Sequence, residues 1–400
     1  MAVAVVSADV SRLTAELWRA GDVIPATKGS APGAGYAIHG LVSARGALAV
    51  LPLEQPVAAA AAMVRWTDAT TWGDAGRRAA AWVGLRTGLA APLVRRRVAL
   101  RVTGGDGPEP ALNEYMAAAV GVPQATVSVA FGSPRPNQKP IVRIHDTGGA
   151  TLGYAKVAWN PLTTALVDTE TAFLASAASR TLRRIRIAKV LHTGTWGGRN
   201  IAVVAPLSGS PGLRRTTPPG PAVLEELAAL GDVHHASIAA SSYRTALPER
   251  IKTLPPRAAA AAHEALAAID ARWAATDLRW GRWHGDWVPW NMRTSGDEVV
   301  VWDWERTADG VPVGFDALHY RFHQALAGTK ESSITALLGA AAATTPTLNA
   351  LGVAEDAVPA ITALYALEMH LRFGAEDTAR GRGVAWLNGL LPAATDRLGG

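Results

Sequence analysis

Apolar and polar residues alternate with a period of two along residues 125–132, 140–145 and 153–158, which predicts three consecutive strands. A loop at 133–139 and a turn at Asp146-Thr147-Gly148-Gly149 separate them. At residues 162–179 the period becomes helical, with Leu166, Phe173 and Leu174 on one face. Residues 189–192 and 200–205 read as two further strands around the glycines at 194–198, and Pro206-Leu207-Ser208-Gly209 ends the pattern. Beyond Pro218 the spacing is helical, over 221–230, 231–241, 257–273, 334–343, 357–373 and 383–390. Upstream, 35–53 reads as a hairpin turning at Ala44-Arg45-Gly46, 57–66 and 72–87 as helices, and 98–102 as a strand. Strands first and helices afterwards predict an α+β fold.

One stretch departs from this plain patterning. Trp283-His284-Gly285-Asp286-Trp287-Val288-Pro289-Trp290-Asn291 places an acid and a carboxamide five positions apart, and Pro289 between them favours an irregular turn. Ser295-Gly296-Asp297 then reads as a turn into the β-branched run Glu298–Trp302, so a hairpin delivers Asp303 beside Asn291. A carboxylate that accepts a hydroxyl proton, with two oxygen ligands for Mg²⁺, is the set that phosphoryl transfer needs.

The pattern H-x-D-x-x-x-x-N followed by a strand and Asp resembles the catalytic and metal-binding segments of the aminoglycoside phosphotransferase and choline kinase families, small-molecule relatives of protein kinases. The resemblance implies a protein-kinase-like bilobal fold, with an antiparallel-sheet N-lobe and a mostly helical C-lobe. Asp286 would be the catalytic base, with Asn291 and Asp303 as metal ligands. Lys156, on the third strand, and Glu170, on the following helix, would grip the α- and β-phosphates as an ion pair. The loop before residue 140 is not G-x-G-x-x-G, so Ser133, Asn137 and backbone N–H groups would cover the phosphates. Ala205 and Leu207, at the break between lobes, would meet the nucleotide base. Asp316, after Gly310-Val311-Pro312, would cap a helix or anchor the catalytic loop.

Composition narrows the surroundings. The chain has 400 residues, more than one core usually serves, and no cysteine, which excludes disulfides and thiolate metal sites. Its net charge of +6 is spread along the chain, suiting an anionic nucleotide rather than a nucleic-acid stripe. No apolar run is long enough to span a bilayer, Asp9, Arg12 and Glu16 interrupt any signal-like segment, and a cytoplasmic protein is expected. No G-x-x-x-x-G-K-[ST] occurs, so a P-loop enzyme is excluded.

The expected organisation is an N-terminal α/β accessory region at 1–120, an N-lobe at 121–209 and a C-lobe at 210–400, the accessory region packing on the N-lobe or mediating self-association. The expected activity is Mg²⁺-dependent transfer of the γ-phosphoryl of ATP, or GTP, to a small-molecule hydroxyl on a sugar, aminocyclitol or antibiotic. Trp287 and Trp290 would offer ring faces to that acceptor, and Glu368 a carboxylate. Two other classes fit parts of the pattern. A metal-dependent hydrolase could use Asp286 and Asp303, and an inactive kinase-like module could bind nucleotide alone.

Overall fold

The computed structural model describes residues 2–19, 21–44, 47–66, 72–104, 109–132, 135–207, 218–295, 298–328, 332–377 and 390–391. In chain order its strands are β1 (Val23–Ala26), β2 (Tyr36–Ala44), β3 (Ala47–Pro52), β4 (Arg97–Arg101), β5 (Thr126–Phe131), β6 (Ile141–His145), β7 (Thr151–Val157), β8 (Ile185–Arg186), β9 (Val190–Trp196), β10 (Arg199–Val204), β11 (His234–Ser237), β12 (Asp277–Trp283), β13 (Met292–Ser295), β14 (Glu298–Val301) and β15 (Ala308–Pro312). The helices are α1 (Ala2–Glu16), α2 (Pro56–Trp66), α3 (Trp72–Arg86), α4 (Leu112–Val120), α5 (Pro161–Ala177), α6 (Pro221–Ala228), α7 (Ser242–Lys252), α8 (Pro256–Trp273), α9 (Phe315–Gly328), α10 (Ser333–Ala350) and α11 (Val358–Asp377). Among the described residues no helix is long and apolar enough to cross a membrane.

The chain divides into two units, Met1–Ala175 with Ala188–Leu213, and Ser176–Ile187 with Arg214–Gly400. The first is built on a nine-stranded antiparallel sheet in the order β1-β4-β2-β3-β5-β6-β7-β10-β9. Alternation sorts its side chains. Val127, Val129 and Phe131 of β5, Val142 and Ile144 of β6, and Ala155 and Val157 of β7 turn toward Leu13, Leu17 and Trp18 at the end of α1, and toward Met116 of α4. Lys156 therefore lies on the opposite face, where Val167 of α5 packs on Ala202 of β10. The β9–β10 hairpin turns on Gly197 and Gly198, whose φ angles of 59° and 72° are those of a type I′ turn.

No boundary falls near residue 120. Strand β3, from the expected accessory region, pairs directly with β5, so Ala49 lies opposite Ala130 and the sheet runs through without a break.

The second unit is helical around two three-stranded sheets, β11-β12-β15 and β13-β14-β8. Its core joins α7, α8, α9, α10 and α11 through residues such as Leu247, Ile269, Phe315, Leu337 and Leu364. Residues 231–241 are not the expected helix. Their backbone has a tertiary partner in β12, with His234 opposite Trp280 and Ser237 opposite Asp277, and that pairing overrides the helical spacing. The expected helix at 383–390 lies almost wholly outside the described residues.

Candidate active site

Strand β12 ends at Trp283, and the loop that follows is pinned at both ends. The Asp316 carboxylate, at the start of α9, accepts the backbone N–H groups of His284 at 2.8 Å and Gly285 at 3.2 Å. Gly285 has φ +81°, and a Cβ there would lie 2.2 Å from the carbonyl oxygen of Arg306, so only glycine fits this turn. His284 is fully buried between the edges of Trp287 and Trp304. Its Nδ1 accepts the N–H of Asp286 at 3.1 Å, and its Nε2–H donates to the carbonyl of Trp302 at 3.1 Å. Burial holds this imidazole neutral, its pKa lowered to about 4. The histidine thus ties the catalytic loop to the strand that carries Asp303.

That strand is held from its other side too. Met292 pairs with Val301, and the N–H of Trp302 donates to the carbonyl of Asn291 at 3.1 Å. Asp303 follows with φ +72°, a left-handed conformation that no other non-glycine residue among those described adopts. Aspartate tolerates this region better than most residues, and strain of this kind concentrates at functional sites.

Asn291 Nδ2 donates to Asp286 Oδ2 at 2.8 Å and to its backbone carbonyl at 3.0 Å, which leaves the amide oxygen for another partner. On the other carboxylate oxygen of Asp286, two donors converge from distant helices. Arg372 of α11 stands at 3.2 Å and His319 Nε2 of α9 at 3.4 Å. Arg372 also donates to the carbonyl of Gly285. The hydroxyl of Tyr365 lies 2.9 Å from His319 Nδ1, and its O–H donates there because Nε2 must carry the proton that faces the carboxylate. Burial pushes the Asp286 pKa up, but Arg372 and His319 together hold it well below the usual carboxylate range. Asp286 is an ionised, oriented carboxylate. Burial pushes the Asp316 carboxyl up to about 7, against the two backbone N–H groups it accepts.

In the first unit, Lys156 Nζ lies 2.5 Å from Glu170 Oε2, with both side chains largely buried. Ser133 lies outside the described residues. The N–H of Ala205 donates to the carbonyl of Lys189 at 2.7 Å, so this residue has a carbonyl rather than an N–H to offer. Leu207 is half-buried.

The acceptor candidates part company. Trp290 is 39 % exposed, edge-on to His323. Trp287 is 1 % exposed and packs on His284, so it has no free ring face. Glu368 is buried and accepts two hydrogen bonds from Arg250, at 2.7 and 2.8 Å, and one from Tyr243 at 2.6 Å. That carboxylate is neutralised inside the unit, because a buried charge without a partner would be costly.

Arg372, His319 and Tyr365 were not legible as site residues. They lie 86, 33 and 79 positions from Asp286 in sequence, on helices whose patterning reports only burial. Only the packing of α9 and α11 brings them to the loop.

The antiparallel sheet with its Lys156–Glu170 pair, and the helical unit with its loop and hairpin, are the elements of a protein-kinase-like fold. Residues 158–314 match the model of the phosphotransferase enzyme family, which takes in Glu170, Asp286, Asn291 and Asp303. The fold is that of a thermostable mutant of aminoglycoside phosphotransferase APH(4)-Ia in ternary complex with AMP-PNP and hygromycin B. That match has a TM-score of 0.50 and 14 % identity, and covers 72 % of this chain and 98 % of that one. The amicoumacin kinase hAmiN, in complex with AMP-PNP, Ca²⁺ and Ami, matches at a TM-score of 0.40 and 12 % identity, over 68 % of this chain and 87 % of its own. A choline/ethanolamine kinase family protein from Mesorhizobium loti matches at 0.38 and 14 %, over 71 % and 93 %. No curated protein matches the chain. Residues 158–314 thus carry the segment of a phosphotransferase family on a protein-kinase-like fold.

Proposed function

We propose that the protein transfers the γ-phosphoryl group of ATP, or GTP, to a hydroxyl of a small molecule in a Mg²⁺-dependent reaction. The observation that carries this reading is the state of Asp286, a carboxylate fixed by Asn291, Arg372 and His319. Held in that way, it orients the acceptor hydroxyl and takes its proton as the hydroxyl oxygen bonds to phosphorus. The bond from that phosphorus to the bridging oxygen breaks, and the nucleoside diphosphate leaves. Because the transition state is loose, positioning and charge neutralisation supply most of the acceleration.

The donor set fits Mg²⁺. The Asp303 carboxylate and the Asn291 amide oxygen are hard ligands of the kind this ion selects. Asn291 has its amide nitrogen committed to Asp286, so its oxygen is the atom left to ligate. When bound, the ion neutralises the phosphate oxygens. Lys156, oriented by Glu170, would hold the α- and β-phosphates. The carbonyl of Ala205 would accept from the base's exocyclic amine and the N–H of Leu207 would donate to its ring.

The neighbours of Asp286 favour an uncharged acceptor. Arg372 already pairs with Asp286, and Arg250 with Glu368, so neither carboxylate is left to bind an ammonium. A sugar-like hydroxyl compound stacked on Trp290 fits these groups better than an aminocyclitol.

Thermal stabilisation tests the reading, with ATP and GTP, with and without Mg²⁺, on the wild type and on Asp303→Ala. A nucleotide at a hundred times its Kd stabilises by about 3 kcal/mol. The expected result is a Mg²⁺-dependent shift that Asp303→Ala abolishes. No shift with either nucleotide would remove the kinase reading.

A further inference from the structure

The N-terminal helix has chemistry that the transfer reaction does not use. Arg12 and Glu16 stand one turn apart on α1, with Arg12 Nε donating to Glu16 Oε1 at 2.9 Å. Both reach the loop between β5 and β6. Arg12 Nη2 donates to the carbonyl of Gly132 at 2.6 Å and to Gln138 Oε1 at 3.2 Å. Gln138 Nε2 in turn donates to Glu16 Oε2 at 3.0 Å, which closes a ring of hydrogen bonds among the three side chains. Glu16 and Gln138 are 8 % and 6 % exposed, so water competes weakly for these bonds. The Arg12 guanidinium also lies 5.5 Å from the centre of the Phe131 ring, at the end of β5.

The loop is held from its far side as well. Trp159 Nε1 donates to the carbonyl of Gln138 at 2.6 Å, and Asn160 Nδ2 to that of Pro136 at 3.1 Å. Asn160 also accepts the N–H of Thr163 at 2.8 Å, capping α5, the helix that carries Glu170. The loop returns into Ile141, the cross-strand partner of Lys156, and the carbonyl of Pro140 accepts the N–H of Val157 at 3.2 Å. Residues 135–140 therefore lie beside the Lys156–Glu170 pair, strung between α1 and the first turn of α5.

We infer that α1 is a splint for residues 135–140, with Arg12 and Glu16 as positioning residues that fix Gln138 and so pre-organise this backbone for the nucleotide. This rests on the proposed grip of Lys156 on the phosphates and on the expectation that the backbone of this loop covers them. It gives the N-terminal region a part in nucleotide binding. A loop free to sample other conformations would lose entropy each time nucleotide binds, and the ring removes that cost beforehand.

The test uses the full chain and Mg²⁺ with AMP-PNP as binding probe, alongside steady-state kinetics, for Arg12→Ala, Gln138→Met and the double variant. Each single change is expected to raise the nucleotide Kd and KM about tenfold, with kcat within about threefold, and the double variant to be no worse than either single one. A defect that is merely structural would lower Tm and active fraction without splitting KM from kcat. Unchanged nucleotide affinity in the folded variants, or additive effects in the double variant, would overturn the splint while leaving the phosphotransferase reading intact. Should Arg12→Ala fail to fold, Gln138→Met, which leaves α1 untouched, decides alone by the same criterion. A wild type that binds no nucleotide overturns both.

Discussion

At Asp303 the backbone conformation and the chemistry make opposite demands. A left-handed φ costs a residue with a Cβ about 1 kcal/mol relative to glycine, yet the proposed metal ligand needs a side chain. Asp303→Ala and Asp303→Gly both remove the carboxylate and whatever it touches, so their difference isolates the backbone. Both variants are expected to lose Mg²⁺-dependent turnover, and the glycine variant to be the more stable by about 1 kcal/mol in chemical denaturation. Equal stabilities would mean that the strain is relieved elsewhere. Gly285 is the converse case. Its φ of +81° and the Arg306 carbonyl at 2.2 Å from a built Cβ leave no room, so Gly285→Ala should destabilise by about 3 kcal/mol or more and displace Asp286. Arg372 belongs at this scale too. Arg372→Gln keeps a hydrogen-bond donor near Asp286 but removes the charge, and should lower kcat by about tenfold to a hundredfold with the nucleotide KM unchanged. A rise in KM alone would place the arginine on the binding side of the reaction. The residues of this site were legible where chemistry is local. Asp286, Asn291 and Asp303 fall within eighteen positions, and a loop followed by a hairpin must bring them together. Arg372 and His319 carry no such local constraint.

Elements show the same division. The β2–β3 hairpin, strands β4, β5, β6, β7 and β10, and helices α2, α5 and α8 were legible because each has a clear period or punctuator, such as Gly197-Gly198 or Pro256, whereas β1 was not read. Strand β11 was not, since its pairing partner begins forty residues later. Helix α7 hides Pro248 in its interior. Strand β8 shows what local pattern cannot report. It is two residues long and pairs in parallel with β14, the strand that delivers Asp303. The Glu226 carboxylate of α6 secures the approach to it, accepting three consecutive backbone N–H groups, from Arg183 at 2.6 Å, Arg184 at 2.7 Å and Ile185 at 2.8 Å. This is the geometry of an anion nest filled by the protein's own side chain. Glu226→Ala should cost about 1–2 kcal/mol, because those groups are partly hydrated rather than fully buried. It should also raise hydrogen exchange at the amides of 183–185. If exchange there is unchanged, another group holds β8 against β14.

Across the whole molecule, buried histidines make stability depend on pH, and the two units differ in how. His39 and His145 of the first unit are both lowered to about 4, chiefly by burial, and His284 of the second is lowered to the same value. A histidine whose folded pKa is depressed binds protons more readily when unfolded. Its share of stability is therefore full above the unfolded pKa of about 6.5 and is lost as pH falls toward 4. At pH 5 the loss is about 2 kcal/mol for each such group. Asp316 runs the other way. With its carboxyl raised to about 7, the folded state favours the protonated acid, so stability is greatest at low pH and declines as pH rises through 7. Within the second unit Asp316 opposes His284, His319 and His323, all lowered chiefly by burial, whereas His39 and His145 act in the same direction. Burial therefore makes both units lose stability in acid, and in the first no raised carboxyl opposes it among the groups whose shift is resolved. Unfolding of the first unit's nine-stranded sheet should move to lower denaturant between pH 7.5 and 5, and His39→Leu combined with His145→Gln should remove most of that movement. For the second unit, Asp316→Asn should steepen the loss of stability toward pH 5, because it removes the raised carboxyl that opposes the histidines. A wild-type midpoint independent of pH over this interval would show that both histidines titrate in the folded chain as they do in the unfolded one.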